Sequence, residues 1–332
     1  MALVWLNLQE TYNMKWNKLG KIFDPLQHKL SDDFVGFAQS PQAIVFDDYV
    51  RIYFATRKND EEGKFISHIQ YVDFSKDFKQ IIKTSVNTVF VRGKLGCFDE
   101  HGVFPMNVLK YENKILAFTN GWSRRVSVPV ETGIGYGESY DGGETFHRIG
   151  DGPVLSASVN EPVLVGDPFV QIFEGIFHMW YLFGLGWKKH SEQAPPERIY
   201  KIGHATSTDG INWVKEEGRK IVADKLNEDE CQALPCVVSF DNRYHMFFCY
   251  RNSVDFRTNK NNTYRIGYAY SDDLITWQRD DAQVGIDVSS EGWDSEMQCY
   301  PHVFEVNGNI YMLYNGNAFG KNGFGLAQME KM

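Results

Sequence analysis

The stretch "STDGINW", Ser207–Trp213, packs a hydroxyl, a carboxylate, a glycine and a tryptophan into seven residues. Whether it is a site or a piece of scaffold depends on whether it recurs. It does, as "SYDGGETF" from Ser139 and "SDDLITW" from Ser271, each after a similar lead-in: "IGYGE", "IGHAT" and "IGYAY". A worn copy, "ISHIQYVDFSKDF", starts at Ile66. The aspartates at 73, 141, 209 and 273 are spaced by 68, 68 and 64 residues. A catalytic centre is needed once, so a motif repeated at this period reads as architecture. The lead-in alternates like a strand. The Ser-x-Asp that follows is turn chemistry, in which short side-chain oxygens accept from nearby backbone amides. The aromatic then opens the next strand.

A second repeat runs out of phase with the first. Five segments share the form proline, apolar strand, turn, apolar strand, with prolines at 41, 105, 168, 235 and 301. Their steps are 64, 63, 67 and 66. Two of the turns, "DN" at 241–242 and "NG" at 307–308, are hairpin chemistry. Each period therefore predicts four antiparallel strands, and five periods predict an all-β, five-bladed β-propeller forming a single domain over 1–332. Proline suits the start of a strand, where its missing N–H costs no ladder bond. The fifth period ends at its third strand, "FGLAQMEKM", and "MKWNKLGKIF" near the N-terminus supplies a fourth. That pairing into the last blade would close the ring and remove two exposed edges.

Bulk properties narrow the function. A net charge of −9 and the lack of a basic stripe argue against nucleic acid. Five cysteines without a CxxC pair suit reduced thiols and a cytoplasmic location. "MALVWLNLQETYNMKW" lacks the pattern of a signal peptide, and no apolar run is long enough to span a membrane. No metal motif or cofactor fingerprint stands out, so neither a metal nor a cofactor is expected. The oligomeric state is not legible.

In a propeller the first strand of each blade lines the central channel, so the approaches to the five prolines are where chemistry can sit. Glu100, Glu230 and Glu296 stand five residues before their prolines, and Asp167 stands one before. Asp99 and Asp229 flank two of the glutamates, and His101 follows Glu100. Carboxylates converging on one funnel raise each other's pKa, leaving one protonated as a general acid. Two carboxyls flanking a scissile bond are the chemistry of glycoside cleavage, about 5 Å apart for retention and about 6.5–9.5 Å for inversion. The plain alternative is a structural ring, hydrogen-bonded to loop amides or paired with arginines such as Arg57 and Arg251. Trp122, Trp187 and Trp293 offer flat faces for sugar rings or pack between blades. Arg124 and Arg125, with Lys188, Lys189 and His190, would grip a phosphate or an anionic sugar, or simply solvate loops.

These features resemble the glycoside hydrolase superfamily of families 32, 43, 68 and 130. More narrowly, "GCFDEHGVFP", "NGWSRRVSVPVETGIGY", "YRIGYAYSDDLITWQRDD" and "EGWDSEMQCYPHVF" are similar to a bacterial group found with surface-polysaccharide biosynthesis. That group is itself similar to the N-terminal domain of plant glucosamine inositolphosphorylceramide transferases. The superfamily places Asp, Asp and Glu in three successive blades. The resemblance implies Asp99 as base or nucleophile, Asp167 as transition-state stabiliser and Glu230 as general acid. Here the register is shifted by one blade, blade one reads "FAQSP", and no arginine precedes Asp167; Glu100 and Glu296 stand as substitutes. The expectation is an enzyme cleaving or transferring a glycosidic bond of a small sugar or glycoconjugate. His101, Arg57, Trp122, Arg124, Trp187, Arg251 and Trp293 are its candidate substrate contacts. A non-catalytic carbohydrate-binding propeller and a glycosyltransferase accessory domain remain as alternatives.

Overall fold

The structure is a computed structural model and describes residues 14–28, 30 and 33–331. The stretch 1–13, which carries most of the segment read for a leader, lies outside the described residues. The described residues are all-β apart from two short 3-10 turns. β1 (Trp16–Phe23) is followed by β2 (Gln39–Val45), β3 (Tyr49–Asn59), β4 (Phe65–Ser75) and β5 (Ile81–Thr84). Then come β6 (Gly102–Tyr111), β7 (Lys114–Arg124), β8 (Val130–Ser139) and β9 (His147–Arg148). The third group is β10 (Val165–Phe173), β11 (Ile176–Lys188), β12 (Glu197–Ser207) and β13 (Val214–Lys215). The fourth is β14 (Cys231–Phe240), β15 (Arg243–Arg251), β16 (Arg265–Ser271) and β17 (Gln278–Arg279). The last is β18 (Cys299–Val306), β19 (Asn309–Asn315) and β20 (Phe324–Met329).

Within each group the strands pair antiparallel with their sequence neighbours. One parallel bridge, Ser67 to Gly102, joins the first two groups into a single sheet. β1 pairs antiparallel with β20 and completes a four-stranded sheet with β19 and β18. The first strands pack against one another in succession, β2 on β6, β6 on β10, β10 on β14, β14 on β18, and β18 on β2. The Asp241–Asn242 and Asn307–Gly308 turns hold both central residues at positive φ, the geometry that matches the twist of a two-residue hairpin.

The prolines mark a distortion that positions the site. In every first strand the pairing register shifts across the proline: Gln39 to Gln42, Val103 to Met106, Gly166 to Phe169, Ala233 to Cys236 and Cys299 to His302. The preceding residue is at positive φ in four of them, at Ser40, Asp167, Leu234 and Tyr300. Such a bulge re-aims one side chain out of the ordinary alternation.

The "STDGINW" stretch is a corner. Asp209 Oδ1 accepts from the Ile211 amide at 2.9 Å, the Asn212 amide at 2.8 Å and Ser207 Oγ at 2.9 Å. Trp213 ties its indole N–H to the Gly210 carbonyl at 3.1 Å and sets its ring edge-on to Phe118, in the apolar layer between the second and third groups. Asp141 and Asp273 repeat the arrangement. In the first group the corner aspartate is Asp77, which accepts from Ser75 Oγ at 2.7 Å. Asp73, the residue read into that role from sequence, instead lies in β4 and forms a buried bidentate pair with Arg51 at 2.7 and 2.8 Å. The apolar layers continue around the molecule. Trp16, Phe247, Tyr268, Met312 and Tyr314 fill one of them, each large side chain adding about 1.5–3 kcal/mol when fully buried.

Candidate active site

A cavity of about 250 Å³ opens where the first strands begin. Three of the five residues that precede the prolines, Phe104, Asp167 and Tyr300, face it. β3 contributes Arg57, β7 contributes Asn120 and Trp122, and β12 contributes Arg198 and Tyr200. Aromatic walls with a few polar groups of fixed direction are the usual make-up of a small-molecule site.

Among the described residues Asp167 is its one carboxylate. It is only 7% exposed, and Asn120 Nδ2 donates to it at 3.1 Å. Burial pushes its pKa up to about 7; Arg198, the Asn120 amide and the Leu234 backbone amide pull the other way without cancelling that cost. Asn120 can approach because residue 166 is glycine: a Cβ there would stand 2.8 Å from the Asn120 amide group. The carboxyl group is thus held half-protonated near neutrality, the condition suited to a general acid.

Beneath the rim, Arg251 is buried among aromatic rings. Its guanidinium lies 3.5 Å from the Phe256 ring centroid and donates to Tyr200 Oη at 3.2 Å, and Tyr200 and Tyr264 share a 2.5 Å hydroxyl contact. This cluster backs the cavity wall and fixes both tyrosine hydroxyls. Arg251 therefore supports the site from behind and does not line it.

Of the carboxylates singled out from sequence, only Asp167 lines the cavity. Asp99 is buried in a two-pronged ion pair with Arg148. Glu230 is fully buried, with Oε2 accepting from the Lys225 and Leu226 amides at 3.0 and 2.9 Å. Its Oε1 accepts from Gln232 at 2.9 Å and Arg279 at 2.6 Å. Glu100 caps the Gly96 amide at 2.9 Å, and Glu296 is exposed. Of the expected funnel of carboxylates, the structure brings one, Asp167, to this cavity. Counting five residues back from a proline passes through the bulge. The three glutamates stand ahead of the strands, in the approach loops, while Phe104, Asp167 and Tyr300, next to their prolines, turn inward.

Among the expected substrate contacts, Arg57 and Trp122 line the cavity. His101 stacks on Trp122 at 5.8 Å and forms a neighbouring surface hollow with Arg124, Asp60 and Glu100. Arg124 is bound to Asp60 at 2.7 Å. Trp187 packs at the edge of an apolar cluster, and Trp293 packs against Tyr314 at 5.1 Å. The reading from sequence passed over Asn120, Arg198, Tyr200, Tyr264 and Tyr300. Tyr300 and Phe104 carried a usable signal, since each stands directly before a proline.

A larger cavity, about 470 Å³, lies at the opposite ends of the first strands. Asn107 there is spent on internal contacts, to Gln42 at 3.1 Å and the Val170 amide at 2.9 Å. Among the described residues no group of three or more His, Cys, Asp or Glu could hold a metal ion. No helix of the described residues is long and apolar enough to cross a membrane.

With that geometry in hand, comparison with known proteins is informative. No protein-family model matches the chain. Two uncharacterized proteins of Mycobacterium tuberculosis, MT1551 and Rv1502, are each 32% identical over 323 residues, spanning 96% of this chain and all of theirs. The chain belongs to their family. A 1,2-β-oligomannan phosphorylase of Thermoanaerobacter is 27% identical over 176 residues, about half of each chain. Among solved structures, a glycoside hydrolase superposes with a TM-score of 0.74 at 15% identity, covering 100% of this chain and 97% of its own. The β-1,2-mannobiose phosphorylase of Listeria innocua, solved with β-1,2-mannobiose, gives 0.66 at 10% identity, covering 96% and 97%. The family thus has the fold of the propeller glycoside hydrolases.

Proposed function

We propose that the protein is a carbohydrate-active enzyme that breaks or transfers a glycosidic bond, with Asp167 as its general acid. The observation that carries this reading is a buried carboxyl group of pKa about 7 in an aromatic-walled cavity. We also read the five groups of strands as the five blades of one domain, closed into a ring by β1. The free cysteines suit a reducing cytoplasm, and the resemblance to the polysaccharide-locus group suits surface-polysaccharide or glycoconjugate metabolism.

Among the described residues the site holds one acid and no second carboxylate to serve as base or nucleophile, so the attacking group comes with the co-substrate. Phosphate meets that need, because its own oxygen is the nucleophile. Arg198, close enough to Asp167 to lower its pKa, is placed to receive it. In this reaction the Asp167 carboxyl gives its proton to the glycosidic oxygen. A phosphate oxygen attacks the anomeric carbon, the glycosidic C–O bond breaks, and a sugar 1-phosphate and a shortened saccharide leave. The names of the two phosphorylases support phosphorolysis over hydrolysis.

A second reading, a non-catalytic sugar-binding propeller, draws on the locking of Asp99 and Glu230 into internal contacts. One experiment separates the two. The protein is incubated with a panel of disaccharides, β-1,2-mannobiose among them, with and without inorganic phosphate, and sugar 1-phosphate and reducing sugar are measured. Phosphate-dependent turnover lost in Asp167→Asn supports the enzyme. Saccharide binding without turnover in either protein supports the binding module.

A further inference from the structure

Among the described residues, Arg57 is a charge without a counter-charge. Its guanidinium lies 4.3 Å from the ring centroid of Phe37 and 5.3 Å from that of Phe65. Among the described residues it has no ion-pair partner and its side chain donates no hydrogen bond. Phe37 is held over it with φ at 72°, a conformation that a bulky residue adopts only when its surroundings impose it. Burial pushes the Arg57 pKa down; Tyr300 pulls it up by less, and the like charge of Arg257 adds to the fall. Arg257 is itself stacked on Phe256 and leans on Glu197 at 3.4 Å. A partly buried cation stacked on aromatic rings, with a second cation acting on it and no anion paired to it among the described residues, is unfavourable unless something else neutralises it.

Arg57 enters the cavity from β3 in the first group of strands and Arg198 from β12 in the third. With the attacking phosphate assigned to Arg198, Arg57 is left without an anion. We propose that the saccharide taken by this cavity carries its own oxyanion, a phosphate or carboxylate borne on the sugar, and that Arg57 receives it. This rests on the reading of the cavity as a glycosidic site. A planar guanidinium matches such a group with two parallel N–H donors. Phe65, Trp122 and Tyr300 supply the faces for the ring that bears it.

The test is calorimetric titration of the full chain with glucose, mannose and galactose, their 6-phosphates, and glucuronate. Each titration is run with and without inorganic phosphate in the cell. The expected result is that at least one anionic sugar binds about 10-fold or more tighter than its neutral parent, with the preference surviving inorganic phosphate. Arg57→Gln should remove that preference, and Arg57→Lys should restore part of it. Equal binding of neutral and anionic sugars, or no binding of any anionic sugar, overturns the proposal. So does erasure of the preference by inorganic phosphate, which would make the Arg57 ligand free phosphate. If Arg57→Gln does not fold, the wild-type comparison alone still decides. Turnover of neutral saccharides that depends on Asp167, without anion preference, would keep the glycosidic reading and remove this one. Anion preference in a protein without turnover would do the reverse.

Discussion

Asp209 and Asp167 are the same residue type put to opposite uses. Asp209 is saturated: the Asn212 and Ile211 amides, the Asn212 side chain and Ser207 Oγ all donate to it, and its pKa is driven down. Asp273 follows the same rule, held at about 2 chiefly by the Thr276 and Ile275 amides. Asp167, buried and with one side-chain donor, is pushed up to about 7. The scaffold aspartates are fully satisfied and exposed, while the cavity aspartate is starved of donors and shielded from water. A carboxylate's role in this fold is thus readable from its count of donors and its burial more than from its neighbours in sequence.

The comparison can be broken most directly at Asp167. Asp167→Asn should cut turnover by about 10²–10⁴-fold. It should also stabilise the protein at alkaline pH. Because the folded pKa lies above the ordinary value near 3.8, the native state binds the extra proton, and stability falls as pH rises from about 4 to about 7. The variant escapes a cost of at most about 4 kcal/mol. Thermal melts of the two proteins should coincide below pH 4 and diverge above pH 7; melts that stay parallel throughout would show that Asp167 is not held protonated.

Glu230→Gln tests the opposite kind of carboxylate. It disturbs a buried set of four donors, including Arg279, and should destabilise by about 2–4 kcal/mol in urea unfolding. Turnover of the folded protein should remain within about threefold of wild type, and a loss resembling that of Asp167→Asn would make Glu230 the acid. Arg198→Gln removes the charge that lowers the Asp167 pKa. The upper limb of the pH–rate profile should then move to higher pH by about 1 unit or more. The smallest effect belongs to the corner. Asp209→Ala should lower Tm by a few degrees with kinetics unchanged. Its contribution is present above about pH 4 and fades as pH falls through the depressed folded value, so the deficit should shrink in acid.

The parts of the molecule that repeat were legible from sequence. Five prolines and three clear corner motifs announced five groups of antiparallel strands, and the pairing of "MKWNKLGKIF" with the last strand followed from a missing member. The worn corner misled by four residues, because Asp73 and Asp77 both sit near Ser75 and only the fold shows Arg51 claiming the first. The site was less legible because its members occur once. Arg198 and Asn120 have no counterparts that mark them, and Tyr264 precedes a strand in the ordinary way. The repeated glutamates looked significant through their spacing, but they stand ahead of the first strands, in loops whose side-chain directions a repeat period does not fix.

That bulge, present in all five first strands, bears on how such proteins diversify. It offers five sockets at which one residue can be exchanged while the strand pairing on either side continues. In this chain they hold serine, phenylalanine, aspartate, leucine and tyrosine. Only one carries a charge, and it is the one on which the proposed chemistry turns. A mutation at a socket alters reactivity while the strand pairing on either side is kept, so an acid can be gained or lost there in a single step.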